Sequence, residues 1–264
     1  MNTNKPVLII TGGSSGIGKA TARLFADRDY IVYEFSRTGT STETVTHVDC
    51  DVTVEHSVQT AVNAVIQKEG RVDILISNAG FGISGAVEFT TTTDAKRQFD
   101  VNFFGAFNVV KAVLPYMRKQ HGGRIIFTSS VAAVLSIPYQ SFYSASKSAI
   151  NALALALRNE VSEFGITVTA LMPGDVSTGF TAARDKSLAG EDVYTHMRRA
   201  VEAMEKDEIG GMTSEYLAKQ LYKVALKHNP KPLYTAGGQY KVFVFLEKML
   251  PKRLSNWIVG KLYS

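Results

Sequence analysis

The stretch that most restricts how this chain can fold is Thr11-Gly12-Gly13-Ser14-Ser15-Gly16-Ile17-Gly18. Residues 6–11 ahead of it are a short run rich in Val and Ile, which reads as a buried strand. Residues 19–28 behind it carry a helical pattern. Glycines at a strand-to-helix turn let the backbone pass close to a pyrophosphate, and the helix start adds free N–H groups and a favourable dipole. The spacing is G-x-x-x-G-x-G, not the G-x-G-x-x-G of the general dinucleotide fingerprint, but the flanking strand and helix supply the context a phosphate cradle needs.

The same alternation continues along the chain. Strands are expected at 30–36, 45–50, 72–77, 124–129 and 166–171, with a seventh ahead of Gly237-Gly238. Helices fall between them. One has the apolar stripe Val54, Val58, Ala61, Val62, Val65 and Ile66, with Thr53 as its N-cap. Another spans roughly 94–119. This rhythm implies an α/β fold: a single-domain, Rossmann-type, doubly wound parallel sheet of about seven strands with helices on both faces. Ligands bind beyond the carboxyl ends of such strands. Residues 12–18, 78–80, 130 and 173–178 all follow expected strand ends, so they share one rim.

The 264 residues suffice for one large domain with a full core, read as residues 1–264 without an internal linker. Twenty-nine basic against 24 acidic side chains leave +5, which suits anionic ligands but is too modest to argue for nucleic acid. The single cysteine, Cys50, excludes an internal disulfide and fits a reducing compartment and a packing role. Residues 1–6 are polar without a secretory core, and no apolar run reaches membrane-span length, so a cytoplasmic protein is expected. No metal-binding constellation stands out.

The chemistry centres on Tyr143-Ser144-Ala145-Ser146-Lys147. A helix puts Tyr143 and Lys147 on one face. A phenol with its ordinary pKa of about 10 is a poor proton donor or acceptor at neutral pH, and a nearby ammonium pulls it down. Bringing it near 7 takes about 4 kcal/mol. At the end of the second strand, Ser36-Arg37-Thr38 lacks the acid that binds an adenosine ribose 2′-hydroxyl and offers an arginine for a 2′-phosphate. That favours NADP(H) over NAD(H). Asp51 either caps the turn after the third strand or accepts from an adenine amino group, and Asn102 lies on a phenylalanine-rich helix.

Taken together, the chain resembles the short-chain dehydrogenase/reductase family. The matching motifs are residues 11–18, Asp51-Val52-Thr53, Asn78-Ala79-Gly80, Asn102, Ser130 thirteen residues before Tyr143, Tyr143-x-x-x-Lys147, and Pro173-Gly174. They cover about residues 5–180 in order, with Ser77 standing where the family often has asparagine. The resemblance implies roles. Tyr143 is the acid in carbonyl reduction, Lys147 lowers its pKa and binds the nicotinamide ribose, Ser130 holds the substrate oxygen, and Asn102 positions a relay water. Gly12, Ser14, Ser15, Gly16, Ile17, Gly18, Arg37, Asp51, Val52, Asn78, Ala79 and Gly80 hold adenosine and phosphates. Pro173, Gly174, Val176 and Thr178, with Tyr143 and Lys147, hold the nicotinamide end.

Beyond residue 178 the pattern thins. Residues 179–212 read as a substrate lid, with an amphipathic helix (Val193, Met197, Ala200, Val201, Met204) and a Gly210-Gly211 hinge, or as a helix packed on the core. Residues 239–264 form an extension of apolar and basic residues broken by Pro251. It is expected to close over the core or an interface, to wall an apolar pocket, or to contact a membrane surface. Ala145, Ala149, Ala152 and Ala156 suit close packing against a partner helix, in a homodimer or homotetramer, or against the sheet. The expected function is NADPH-dependent reduction of an apolar ketone, aldehyde or 3-oxoacyl group, lipid- or steroid-like. An NAD-dependent alcohol dehydrogenase is the alternative, and a catalytically silent dinucleotide sensor or scaffold is the alternative of another class.

Overall fold

The computed structural model describes residues 5–263; residues 1–4, which hold most of the polar lead-in, and residue 264 lie outside the described residues. Seven strands form one sheet: β1 (Val7–Thr11), β2 (Ile31–Ser36), β3 (Val45–Asp49), β4 (Ile74–Ser77), β5 (Gly123–Thr128), β6 (Ile166–Pro173) and β7 (Leu233–Ala236). Their order is 7-6-5-4-1-2-3 and every pairing is parallel. The reversal between β1 and β4 is the topological switch point where such sheets bind ligands.

The sheet divides the core by the period of two of a strand. Val7 and Ile9 of β1 pack on one face and Leu8 and Ile10 on the other. The first face is covered by α2 (Glu55–Glu69), α4 (Gly105–Lys119) and α5 (Ser141–Glu160). The second face is covered by α1 (Gly16–Ala26) and α7 (Ser214–Ala225), through Phe25, Leu217 and Leu221. Burying each Leu, Ile or Phe contributes about 1.5–3 kcal/mol, which is why both faces must be covered.

Three local expectations are corrected. Thr53 is not the cap of α2: Val54 occupies that position, and Thr53 spends its N–H and hydroxyl on Asp51 Oδ1, at 2.9 and 2.7 Å. The single helix expected at 94–119 is α3 (Thr92–Phe99), a π-helical turn (Asp100–Phe104) and α4. One extra residue per turn rotates Asn102 inward, to 1% exposure. In the lid, Val193 is exposed and lies ahead of α6 (Met197–Ile209); Met197, Ala200, Val201 and Met204 are buried as expected.

Past β7, α8 (Gly238–Met249) and α9 (Lys252–Leu262) run on either side of Pro251. Tyr240 and Val244 of α8 join a small core cluster with Met172 and Val131. On α5, Ala145, Ala152 and Ala156 are exposed, so this face turns away from the sheet. Cys50 is buried, which pushes its thiol up to about 11 and leaves it a packing residue.

Candidate active site

The carboxyl ends of β1, β4, β5 and β6 open into a cavity of about 260 Å3. Of the residues expected to form a site, Gly12, Ser15, Gly16, Ile17, Asn78, Ala79, Gly80, Ser130, Tyr143, Lys147, Pro173, Gly174, Val176 and Thr178 line it. Two chain-local features build the phosphate end. Gly12 and Gly16 adopt φ of +65° and +49°, and Ser15, the N-cap of α1, makes no side-chain cap bond, so the helix start offers its N–H groups outward. A Cβ on Gly16 would stand 3.5 Å from Thr178 Cβ, so the turn faces the β6 rim across the cavity. These features fit a dinucleotide: an open helix N-terminus at one end and polar groups at the other.

The remaining expected residues do not line this cavity. Gly18 is a packing glycine, since a Cβ there would sit 2.0 Å from Gly12 O. Val52 is buried and crowds Gly105, and its carbonyl accepts from Asn108 Nδ2 at 2.9 Å, so its side chain cannot reach a ligand. Ser14 does not line the cavity. Arg37 is exposed just after β2; at Asp51, burial opposes ionisation, but the two Thr53 hydrogen bonds and, last, the charge of Arg37 hold the carboxyl below its ordinary pKa.

Asn102 is a clamp. Its Oδ1 accepts from Phe81 N at 3.0 Å, and its Nδ2 donates to Phe81 O at 3.0 Å and Ser146 Oγ at 3.1 Å. A Cβ on Gly80 would lie 3.1 Å from Asn102 Oδ1 and 3.6 Å from Lys147 Nζ, so all three meet at one point. Asn78 is also committed to the frame, its Nδ2 donating to Thr11 O at 3.1 Å. Thr11, which sequence reasoning missed, accepts from both Asn78 N and Ala79 N at 2.9 Å and so ties the β4 loop to the glycine turn.

Ser130 caps a short turn, accepting from Ala132 N at 3.1 Å. Its neighbour Ser129 is buried and donates to Lys147 O at 3.3 Å, which leaves Ser130 as the cavity hydroxyl beside the phenol. The expected direction of the Tyr143 pKa is reversed. Burial pushes it up to about 12, and the hydrogen bond with Ser130 only partly offsets this. Burial also brings Lys147 down to about 8, while its Nζ donates to Thr128 O at 2.8 Å. Desolvation is therefore the largest influence on both groups in the protein alone.

The lid supplies what the motifs did not announce. The pair Asp185–Lys186 and Ile83–Ser84 forms a small parallel ladder, reinforced by Arg97 to Asp185 at 2.5 Å. This brings Phe180, Ala183, Met204 and Glu208 onto the cavity, with the Phe180 ring centroid 5.7 Å from that of Tyr143. Glu208 pairs with buried Arg184 and accepts from Thr181 Oγ1 at 2.6 Å. Asp175 also lines the cavity, and burial raises its pKa, with the Tyr240 hydrogen bond opposing and the charges of Glu208 and Asp207 adding. Tyr263, beyond α9, completes the wall.

A sequence profile described as short chain dehydrogenase matches residues 6–189. The chain is 40% identical over 264 residues to a 3-ketodihydrosphingosine reductase of Bacteroides thetaiotaomicron, covering 98% of each chain. Among solved structures it is similar to a short-chain dehydrogenase of Streptomyces avermitilis, with a TM-score of 0.85, 25% identity and 98% of both chains covered. It is also similar to ElxO with NADP bound, with a TM-score of 0.75 and 26% identity over 90% of this chain and 99% of that one. A Burkholderia phymatum protein in complex with NAD shares the fold, with a TM-score of 0.79 and 23% identity over 93% and 94%.

Proposed function

The chain belongs to the short-chain dehydrogenase/reductase family, and on that footing we propose that it is an NADPH-dependent reductase of a long-chain, apolar ketone. One observation carries the reading: Ser130, Tyr143 and Lys147 share a single cavity with an open glycine turn and the apolar walls Phe180, Met204 and Tyr263. When bound, a nicotinamide cofactor would supply the hydride. Ser130 and Tyr143 hydrogen-bond the substrate oxygen, and Tyr143 donates the proton as that oxygen gains charge. Its high pKa keeps it in the acid form at neutral pH, which suits reduction. Lys147 holds the ribose edge, and Asn102 fixes the Phe81 backbone beside it. Arg37 takes the 2′-phosphate.

The cavity's charge narrows the substrate. Asp175 and Glu208 both line it; Glu208 is paired with Arg184, whereas the Asp175 carboxylate accepts from the Tyr240 hydroxyl and has no ion pair among the described residues. A ketone with a long alkyl chain and an ammonium on the neighbouring carbon would offset Asp175, which is the chemistry of the ketone named for the Bacteroides relative. The exposed alanine face of α5, beside a groove lined by Phe107, Leu114 and Leu153, is the proposed homo-oligomer contact; Ala152→Arg should lower the mass seen by light scattering.

The test is NADPH oxidation against ketones graded in chain length, with and without an α-amino group. Turnover should rise with chain length and fall about 10²–10⁴-fold in Tyr143→Phe. Turnover confined to small polar carbonyls would overturn the substrate reading, and an active Tyr143→Phe would overturn the acid assignment.

A further inference from the structure

We propose that α8 and α9 form a docking surface for an anionic lipid bilayer, which seats the protein peripherally with its substrate cavity beside the lipid. The geometry of α8 points this way. Its inward face is Tyr240, Val244 and Glu247, at helical spacing. Opposite them, at i, i+3, i+4 and i+7, stand Val242, Phe245, Leu246 and Met249, all exposed, Phe245 by 61% and Met249 by 68%. On α9, Leu254, Trp257 and Ile258 continue the outward apolar surface, with Trp257 59% exposed.

Charge identifies the occupant. Residues 238–262 contain Lys241, Lys248, Lys252, Arg253 and Lys261 against one acid, Glu247, a net +4. The rest of the chain has 24 basic and 23 acidic side chains, so nearly all of the protein's +5 lies on this hairpin. Glu247 is buried and pairs with Lys252, so the outward face presents no carboxylate. A second copy related by a two-fold axis would set these cations against themselves, an arrangement that costs association energy. Anionic lipid offers the opposite sign together with an apolar layer for Phe245, Met249 and Trp257. Among the described residues no helix is long and apolar enough to cross a membrane, so the contact is with its surface.

The hairpin is also tied to the site. A Cβ on Gly174 would lie 2.2 Å from the Tyr240 ring, the Tyr240 hydroxyl donates to Asp175 Oδ2 at 2.5 Å, and Tyr263 lines the cavity. The surface that meets lipid is thus the outer side of the element that walls the pocket.

Trp257 is the chain's only tryptophan, so its fluorescence reports this surface directly. The full-length protein should co-sediment with phosphatidylcholine vesicles containing about one-third phosphatidylglycerol, with a blue shift of Trp257 emission. Both signals should weaken at high salt and on pure phosphatidylcholine. Phe245→Gln with Met249→Gln should lose at least tenfold in vesicle affinity while NADPH oxidation with a short soluble ketone stays at the wild-type rate. Charge reversal in Lys241→Glu with Lys248→Glu should do the same without touching the apolar stripe. Unchanged emission with no co-sedimentation would overturn the proposal. So would a blue shift that grows with protein concentration alone, which would mean a second copy covers the face. Neither readout depends on catalysis, so failure here leaves the reductase reading standing.

Discussion

The Tyr240 hydroxyl, on the first turn of the C-terminal hairpin, donates to Asp175 Oδ2 at 2.5 Å, two residues past Pro173 of the active-site rim. The hydrogen bond favours ionised Asp175 against the burial that raises its pKa. Tyr240→Phe removes it, and with it an interaction that favours the charged carboxylate an ammonium would meet. A hydrogen bond to a charged group contributes about 1.5–3 kcal/mol, so KM for a long-chain α-amino ketone should rise roughly tenfold or more while kcat holds. KM for the neutral ketone of equal length should not change. Equal rises for both ketones would make Tyr240 a mere anchor of α8.

The buried pair at the centre of the site sets the pH profile. Lys147 is brought down to about 8 by burial, and Tyr143 is pushed up to about 12. Both are protonated at pH 7, the state that reduction requires. As pH rises through about 8, Lys147 loses its charge, and its hydrogen bond to the ribose edge loses its charge assistance. The kcat/KM for NADPH, which reports groups of the free enzyme, should therefore have an alkaline limb near 8. Lys147→Arg, which stays charged above pH 12, should lose that limb. A profile flat to pH 10 in the wild type would refute the role of Lys147.

A second charged cluster governs stability. His47 is flanked by Glu34 and by Asp49 at 3.0 Å. Burial disfavours its charged form, but hydrogen bonds to Asp49 and Glu34 and their charges outweigh that, and its pKa is raised. The folded state holds this proton more tightly than the unfolded chain. The stabilisation is full below about pH 6.5 and is lost as pH rises through the folded-state pKa. The Tm of the wild type should fall across that window. His47→Ala should cost about 3–5 kcal/mol near pH 6, because Glu34 is left buried at 3% exposure without its cation. Identical Tm slopes for the two proteins would sink the idea.

The proposed preference for NADPH rests on the end of β2. Replacing Ser36 by Asp and Arg37 by Ser supplies the acid that binds a free ribose 2′-hydroxyl and removes the phosphate's counter-charge. The ratio of kcat/KM for NADPH to that for NADH should reverse. An unchanged ratio would show that neither residue selects the dinucleotide.

What could be read from the sequence was what is local in the chain. The Val/Ile run of β1, the glycines at 12 and 16, the alternation that builds the sheet, and Tyr143 with Lys147 on one turn are short-range patterns with a period. Local sterics and helix geometry alone bring them about. Tertiary structure decided whatever depends on the environment of a group or on contacts between distant segments. Burial reverses the direction of the Tyr143 pKa, since desolvation has no signature in a five-residue motif. Thr11 grips Asn78 across 67 residues, and Asp175 meets Glu208 only because the lid folds over the rim. In α8 the sequence is apolar around most of its circumference, and only the docking of Tyr240 and Val244 on the core decides which apolar stripe is left facing out.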